Sequence, residues 1–352
     1  MQQKNYSNIL SNLPDKIRQI ISHFVAFLIV VMLLMLLFAA FRSVTARYSG
    51  VSESGYVMNT YFEIKVNGKN TADHVRAAII KINDVAKLIN YHDPNSEISS
   101  VNNMAGISAV SVSQDTFDIV DKAIRFARRS GGAYDPTIGP LTDIWSYAFK
   151  DHKEIPGGNE LVYAQHLVNY GNVIVNPQNQ TIKLLYPGMK IDLGDVGKGY
   201  ALTKARAILV ERGVTSAMLN AGPIIAAIGD NKGKPWKVDI KDPRRPDEMI
   251  GSVSLAGGQA LSTTGDYDDY FEAGGRRYHH VIDPSTGMPA DQCRSVTIIS
   301  NDATEAGMLS RAVFIMGPTR GLAFVSTFKD TQAIIVDKDG NVVKSPGVNL
   351  ER

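Results

Sequence analysis

The side chains best suited to chemistry fall in three polar runs. The first is Asp192-Leu-Gly-Asp-Val-Gly-Lys-Gly199. Gly194, Gly197 and Gly199 let the backbone approach a ligand, a helix opening there offers unpaired N–H groups, and Lys198 adds a positive charge, so the run suits an anion. It has neither the G-x4-G-K-[ST] spacing of a P-loop nor the G-x-G-x-x-G spacing of a dinucleotide fingerprint, and a purely structural glycine turn fits the same residues. The second is Ser262–Asp266 (STTGD) followed by Tyr278-His-His-Val-Ile-Asp-Pro-Ser-Thr-Gly-Met-Pro289. His280 with Asp283 three residues on offers an acid/base imidazole and a carboxylate to orient it, although a histidine satisfied within the scaffold is the plainer alternative. The third, Gly131-Gly-Ala-Tyr-Asp-Pro-Thr-Ile-Gly-Pro140, ends a helix in glycines and presents Tyr134 and Asp135 from a rigid turn. Each run alone is compatible with scaffold.

The elements that must hold these runs follow from periodicity. Thr60–Val66 alternates as a strand, and Val75, Ile79, Ile82, Val85, Ala86 and Ile89 recur at helical spacing within 72–90. The same logic predicts a helix over 112–130, a hairpin over 172–185, a short strand over 190–193, and a helix over 200–212 after the glycine-rich turn. Further strands are expected at 218–219, 236–240, 251–255, 260–263, 295–300 and 332–336, with a helix over 303–316. Mixed order with many hairpin-like neighbours implies an α+β fold rather than a doubly wound parallel sheet.

Composition narrows the classes. The chain has 352 residues, 44% hydrophobic and 20% charged, which supports a sizeable core and excludes a disordered chain. With 37 basic against 35 acidic residues the net charge is +2, giving no electrostatic reason to propose nucleic acid as a partner. The single cysteine, Cys293, excludes an intrachain disulfide framework and a zinc ribbon, and its plain reading is a small buried side chain. Phe24–Phe41 is an uncharged apolar run that Ile20 and Ile21 extend, so residues 20–41 read as a transmembrane anchor between a short cytoplasmic N-terminus (1–19) and a polar linker (42–55). A cleaved signal peptide ending near Val44-Thr45-Ala46 is the competing reading, but the run exceeds the usual apolar segment of about 7 to 15 residues. Lys4, Lys16 and Arg18 before the span and Arg42 and Arg47 after it favour a cytoplasmic N-terminus. Residues 56–352 would then face the periplasm or exterior as one folded body.

Taken together and in order, the motifs resemble the ApbE family of FAD:protein FMN transferases of bacterial envelopes. The resemblance covers residues 57 to about 325. It runs through Met58-Asn-Thr60, Tyr91, Asn95-Ser-Glu-Ile-Ser-Ser-Val-Asn102, GGAYDPTIGPLTDIW, DLGDVGKGYA, STTGDYDDYF and HVIDPSTGMP. It implies an ApbE-like, T-fold-related arrangement of mixed sheets with packed helices. It also implies a reaction in which a threonine or serine hydroxyl of a separate envelope protein takes FMN from FAD and AMP is released. Carried over position by position, the implied flavin contacts are Met58, Tyr91, Ala133, Tyr134, Asp135, Asp192, Lys198, Thr264 and Ile282, with His280 and Asp283 as the acid/base pair. Magnesium is the family's usual metal, and the resemblance places one main-chain ligand at Asp195.

Three positions depart from the family pattern. Its A-D-A-L-x-T-A-L-F helix is here Ala306-Gly-Met-Leu-Ser-Arg-Ala-Val-Phe314, so the expected aspartate is Gly307 and the threonine Arg311. Losing two oxygen ligands weakens a magnesium site, and Arg311 is a candidate to meet phosphate oxygens instead. Pro223 stands where the family has glycine and removes a backbone N–H. A relative that binds flavin or a partner without transfer is therefore the second functional reading.

Overall fold

A computed structural model describes residues 14–47, 50–68, 70–149 and 153–351. The chain divides into two units at Ser49/Gly50. The first contains helix α1 (Asp15–Arg47), on which Phe24, Phe27, Leu28, Leu33 and Leu36 are exposed. Among the described residues no helix is long and apolar enough to cross a membrane. The expected span 20–41 falls partly on side chains, 38–41 among them, that lie outside the described ones.

The second unit is built on an eight-stranded antiparallel sheet whose spatial order is its chain order. The strands are β1 (Gly50–Val57), β2 (Thr60–Asn67), β3 (Ala217–Ala221), β4 (Ile224–Ile228), β5 (Ala260–Gly265), β6 (Cys293–Ser300), β7 (Gln332–Asp337) and β8 (Val342–Lys344). The helices that bear on the site are α2 (Ala72–Ile89), α3 (Gln114–Arg129), α4 (Gly139–Tyr147), α5 (Gly194–Glu211) and α6 (Ala303–Val325). Successive strand residues point to opposite faces. Thus Ile224, Ala226 and Ile228 enter the core shared with α2, α3, α5 and α6, whereas Ala227 faces a second core under the hairpin Trp236–Lys241/Met249–Leu255. Val296 and Ile298 against Ile299, and Ala333 and Ile335 against Ile334, repeat the pattern. A third cluster joins Trp145 of α4 to Phe271, Tyr278 and Ile282 and seats the second polar run.

The α+β class and most expected elements are present, and three differences have physical causes. Residues 50–55, expected as linker, belong to β1, an edge strand whose polar residues face solvent while its backbone pairs in full with β2. Residues 190–193, expected as a strand, make a single bridge from Lys190 to Ile138. The glycine-rich turn is not a turn before a helix, because α5 already begins at Gly194. The helix expected over 303–316 stops at Met316 as expected, and Gly317 (φ 78°, ψ 173°) then bends the chain before Pro318 opens its continuation.

Candidate functional site

Six of the residues singled out from sequence meet at one cavity of about 130 Å³: Tyr134, Asp135, Asp192, Gly194, His280 and Arg311, with Ile138, Thr142, Leu193 and Val196 completing its wall. Its parts come from all three polar runs and from α6. Asp192 is held by a clamp rather than by a sheet. The Ile191 N–H donates to Asn102 Oδ1 at 2.7 Å, Asn102 Nδ2 donates back to the Ile191 carbonyl at 2.9 Å, and the Asp192 N–H donates to the Pro136 carbonyl at 2.8 Å. The Asp192 carboxylate accepts from the Gly194 N–H at 2.9 Å and the Thr142 hydroxyl at 3.0 Å, which locks it against the start of α5.

Tyr134 is buried, and its hydroxyl has no hydrogen-bond partner among the described residues. Burial pushes its phenol well above the ordinary range, opposed by the nearby Arg311 and reinforced by Asp192 and Asp135. Arg311 Nη2 donates to the His280 carbonyl at 3.1 Å. Burial pulls Arg311 below its ordinary value while Asp192 and Tyr134 act the other way, so guanidinium, phenol and carboxylate share one electrostatic environment. His280 Nδ1 lies 3.0 Å from the Asp268 carbonyl. Burial lowers its pKa, against the bond to Asp268 and the Asp269 and Asp268 charges, with Lys198 adding to the lowering.

Other expected site residues have different places. Asp283 does not orient His280: its carboxylate accepts from the Ser285 N–H at 2.8 Å and the Ser285 hydroxyl at 2.7 Å, closing its own turn. An aspartate followed by Pro-Ser satisfies its neighbours before it can reach back to residue 280. Asp135 lines the cavity but is saturated by the Thr137 N–H and hydroxyl (2.8 and 2.6 Å) and the Tyr170 N–H (3.0 Å), so it braces the wall. Ala133 adjoins that turn. Tyr91 is tied through its hydroxyl to Asp143 Oδ1 at 2.8 Å, and Asp143 also pairs with Lys190. Thr264 bonds Ser310 at 2.9 Å, fixing α6 one residue before Arg311. Ile282 is buried in the third core cluster. Lys198 is not in the cavity wall; burial lowers its pKa, with Asp192, Asp269 and Asp268 opposing.

Met58 and Asn59 both have positive φ (49° and 56°) and form the two-residue tip joining β1 to β2, the geometry of a type I′ turn. Two of the glycines serve packing rather than a ligand. A methyl at Gly197 would lie 2.2 Å from Ile89 Cδ1, and one at Gly199 would lie 2.4 Å from the Ala303 carbonyl oxygen. Only Gly194 of the three reaches the cavity. The sequence reading missed Thr142, Asn102 and Asp268 as contributors. All three stand inside quoted motifs, but nothing in residue type distinguishes a clamp from a surface amide or marks the aspartate whose backbone carbonyl is used.

The oxygen donors do not suit a hard divalent cation, which takes about six oxygens. Asp135 and Asp192 have both carboxylate oxygens engaged. Among the described residues no three His, Cys, Asp or Glu side chains converge. Asp195 is the second residue of α5, where a carbonyl points along the axis into the helical ladder, and its side chain lies outside the described ones. Gly307 has no side chain to offer, and one turn on stands the cation Arg311. Asp302 caps α6 through the Thr304 N–H at 2.7 Å, and it lines with Glu305 a separate groove beside Lys122 and Arg129.

Comparison with known proteins gives one consistent result. The ApbE family model matches residues 58–335. An FAD:protein FMN transferase of Klebsiella pneumoniae is 30% identical over 260 residues, covering 73% of this chain and 80% of that protein. One from Treponema pallidum is 28% identical over 322 residues, covering 86% and 89%. Among solved structures, the ApbE protein of Thermotoga maritima superposes with a TM-score of 0.78 at 31% identity, covering 85% of this chain and 97% of that one. The flavin transferase ApbE of Vibrio cholerae gives 0.75 at 25%, covering 84% and 96%.

Proposed function

The chain belongs to the ApbE family, and we propose that it is an FAD:protein FMN transferase acting on a separate envelope protein. A threonine or serine hydroxyl oxygen of the acceptor bonds to the FMN-side phosphorus of FAD. The bond from that phosphorus to the bridging oxygen breaks, AMP departs with the electron pair, and the hydroxyl proton passes to a base. The observation that carries this reading is the convergence of Tyr134, Asp192, His280 and Arg311 on one cavity from four separate segments.

His280 is the base. A carbonyl can only accept, so the bond to Asp268 places the proton on Nδ1 and leaves Nε2 as an acceptor. The lowered pKa keeps that ring neutral at pH 7, the form that can take a proton. The cavity is far below the 300 Å³ or so of a typical small-molecule pocket, so it encloses one group of the dinucleotide and the rest lies along the surface outside.

Residues 20–41 serve as a single-pass inner-membrane anchor that keeps the transferase at the surface where its acceptor resides. What supports this is the uncharged run Phe24–Phe41 and the exposure of its apolar side chains on α1. The transfer assay is direct: the full chain is incubated with FAD and an envelope flavoprotein, and the acceptor gains the mass of FMN. A flavin-binding relative without transfer gives no mass gain, which would overturn the enzymatic reading. His280→Ala is expected to slow transfer by about 100-fold or more, the usual scale of a lost general base.

A further inference from the structure

We propose that this chain holds the diphosphate of its dinucleotide without a divalent cation, the Arg311 guanidinium supplying the positive charge and the Tyr134 hydroxyl a hydrogen bond at the same place. The inference rests on the flavin-dinucleotide reading and concerns how that ligand's anionic part is met.

Three observations place the anion there. Arg311 reaches the cavity from α6, and its bond to the His280 carbonyl fixes the plane of a five-donor fork whose geometry matches phosphate oxygens. Tyr134 is 5% exposed, and its hydroxyl lines the same cavity and has no hydrogen-bond partner among the described residues, which costs free energy unless a ligand or water completes it. Gly194 and Val196 set the first turn of α5 in the wall, so the positive end of an 18-residue helix faces the same space.

Among the described residues, the carboxylates that line the cavity are held in its wall. Asp135 and Asp192 also line the cavity, but Thr137, Tyr170, Gly194 and Thr142 engage their oxygens, which keeps the carboxylates in the wall. Lys198 interacts with Asp192, Asp269 and Asp268 and partly offsets all three. A dication placed beside Arg311 would meet a like charge in a desolvated site, with Gly307 giving it no ligand from the preceding turn of α6. Guanidinium and metal are thus alternatives for one task, and the residues present provide the first.

The test is calorimetric titration of the full chain with FAD and, separately, with riboflavin, each in excess chelator and in excess magnesium. The expected result is FAD affinity unchanged within about twofold by chelator. Arg311→Ala should weaken FAD about 10- to 100-fold, the loss of one charged hydrogen-bonding group, while riboflavin binding changes little. Arg311→Lys, which keeps the charge without the fork, should fall between them, and Tyr134→Phe should weaken FAD by about tenfold or less. Chelator weakening the wild type tenfold, or Arg311→Ala binding FAD as the wild type does, overturns the inference and leaves the transferase reading standing. The chelator arm needs no variant, so a poorly folding Arg311→Ala does not shield the inference. No FAD binding by the wild type under either condition overturns both.

Discussion

His279 and His280 are neighbours with opposite tasks, and pH separates them. His279 is wedged between the Ala290 carbonyl, 2.8 Å from Nε2, and the Val281 N–H, which donates to Nδ1 at 3.2 Å, so one nitrogen donates, the other accepts and the ring is neutral. Burial, with His280 adding, pushes its pKa down to about 4. A histidine whose folded pKa lies below its unfolded one stabilises the fold fully above the unfolded value of about 6.5 and loses that contribution as pH falls toward the folded value. Urea unfolding should therefore show wild type losing about 2 to 3 kcal/mol more than His279→Gln between pH 7.5 and 4.5. His280 bears on rate instead. Because its pKa is lowered, the acid limb of transfer should have its midpoint below the ordinary imidazole value of about 6.5, and the limb should vanish in His280→Ala. A limb at or above the ordinary value would count against His280 as the base. The sequence marked residue 280 by its motif. Its partner could not be read, because a backbone carbonyl has no residue type, and the nearer carboxylate, Asp283, turned out to close its own turn.

At the scale of elements, α5 and α6 pack against each other and both reach the cavity, α5 through Gly194 and α6 through Arg311, so their packing bears on its shape. Gly199 makes that packing close: a methyl there would fall 2.4 Å from the Ala303 carbonyl oxygen and 3.1 Å from Thr304 Cα, both backbone, so no side chain can swing away. Gly199→Ala should cost about 1 to 3 kcal/mol by overpacking and weaken FAD together with stability. Gly158→Ala, where an added methyl meets nothing within 4 Å, should leave both unchanged in thermal denaturation and titration. Such packing glycines look identical in sequence to ligand-binding ones, which is why Gly197 and Gly199 were read as part of an anion turn. β2 was legible because its residues alternate between buried and exposed, and β6 and β7 because burial on both faces gives them near-continuous apolar runs, whereas β4 (Ile224–Ile228), equally apolar, was not read as a strand. The edge strand β1, with Ser52, Glu53 and Ser54 at its middle, carries no clear apolar alternation; it pairs with β2 along its whole length, the Ser52 hydroxyl donating to Glu63 at 2.7 Å and only Val51 and Val57 packing on the core. Residues 189–193 present the converse: Met189, Ile191 and Leu193 alternate as in a strand, yet the Asn102 side chain and the 136–139 backbone take up the hydrogen bonds.

For the whole molecule, the +2 net charge says little, because what matters is its partition. The folded body carries its own cores: every member of the three apolar clusters, including the residues packed against them, lies at Val51 or beyond. Its stability should not depend on the first unit, whereas α1 carries an uncharged run and exposed phenylalanines and leucines that water disfavours. Two outcomes follow for fractionation. The full chain should sediment with membranes, resist alkaline carbonate and come off in detergent. Residues 50–352 alone should stay in the supernatant, melt cooperatively and bind FAD as the full chain does in detergent. Added protease should digest the body in spheroplasts but not in inverted vesicles if the basic residues Lys4, Lys16 and Arg18 hold the N-terminus inside. Full-length chain in the carbonate supernatant would remove the anchor, and digestion only in inverted vesicles would reverse its direction. Neither result would touch the cavity, whose residues all lie between Tyr134 and Arg311.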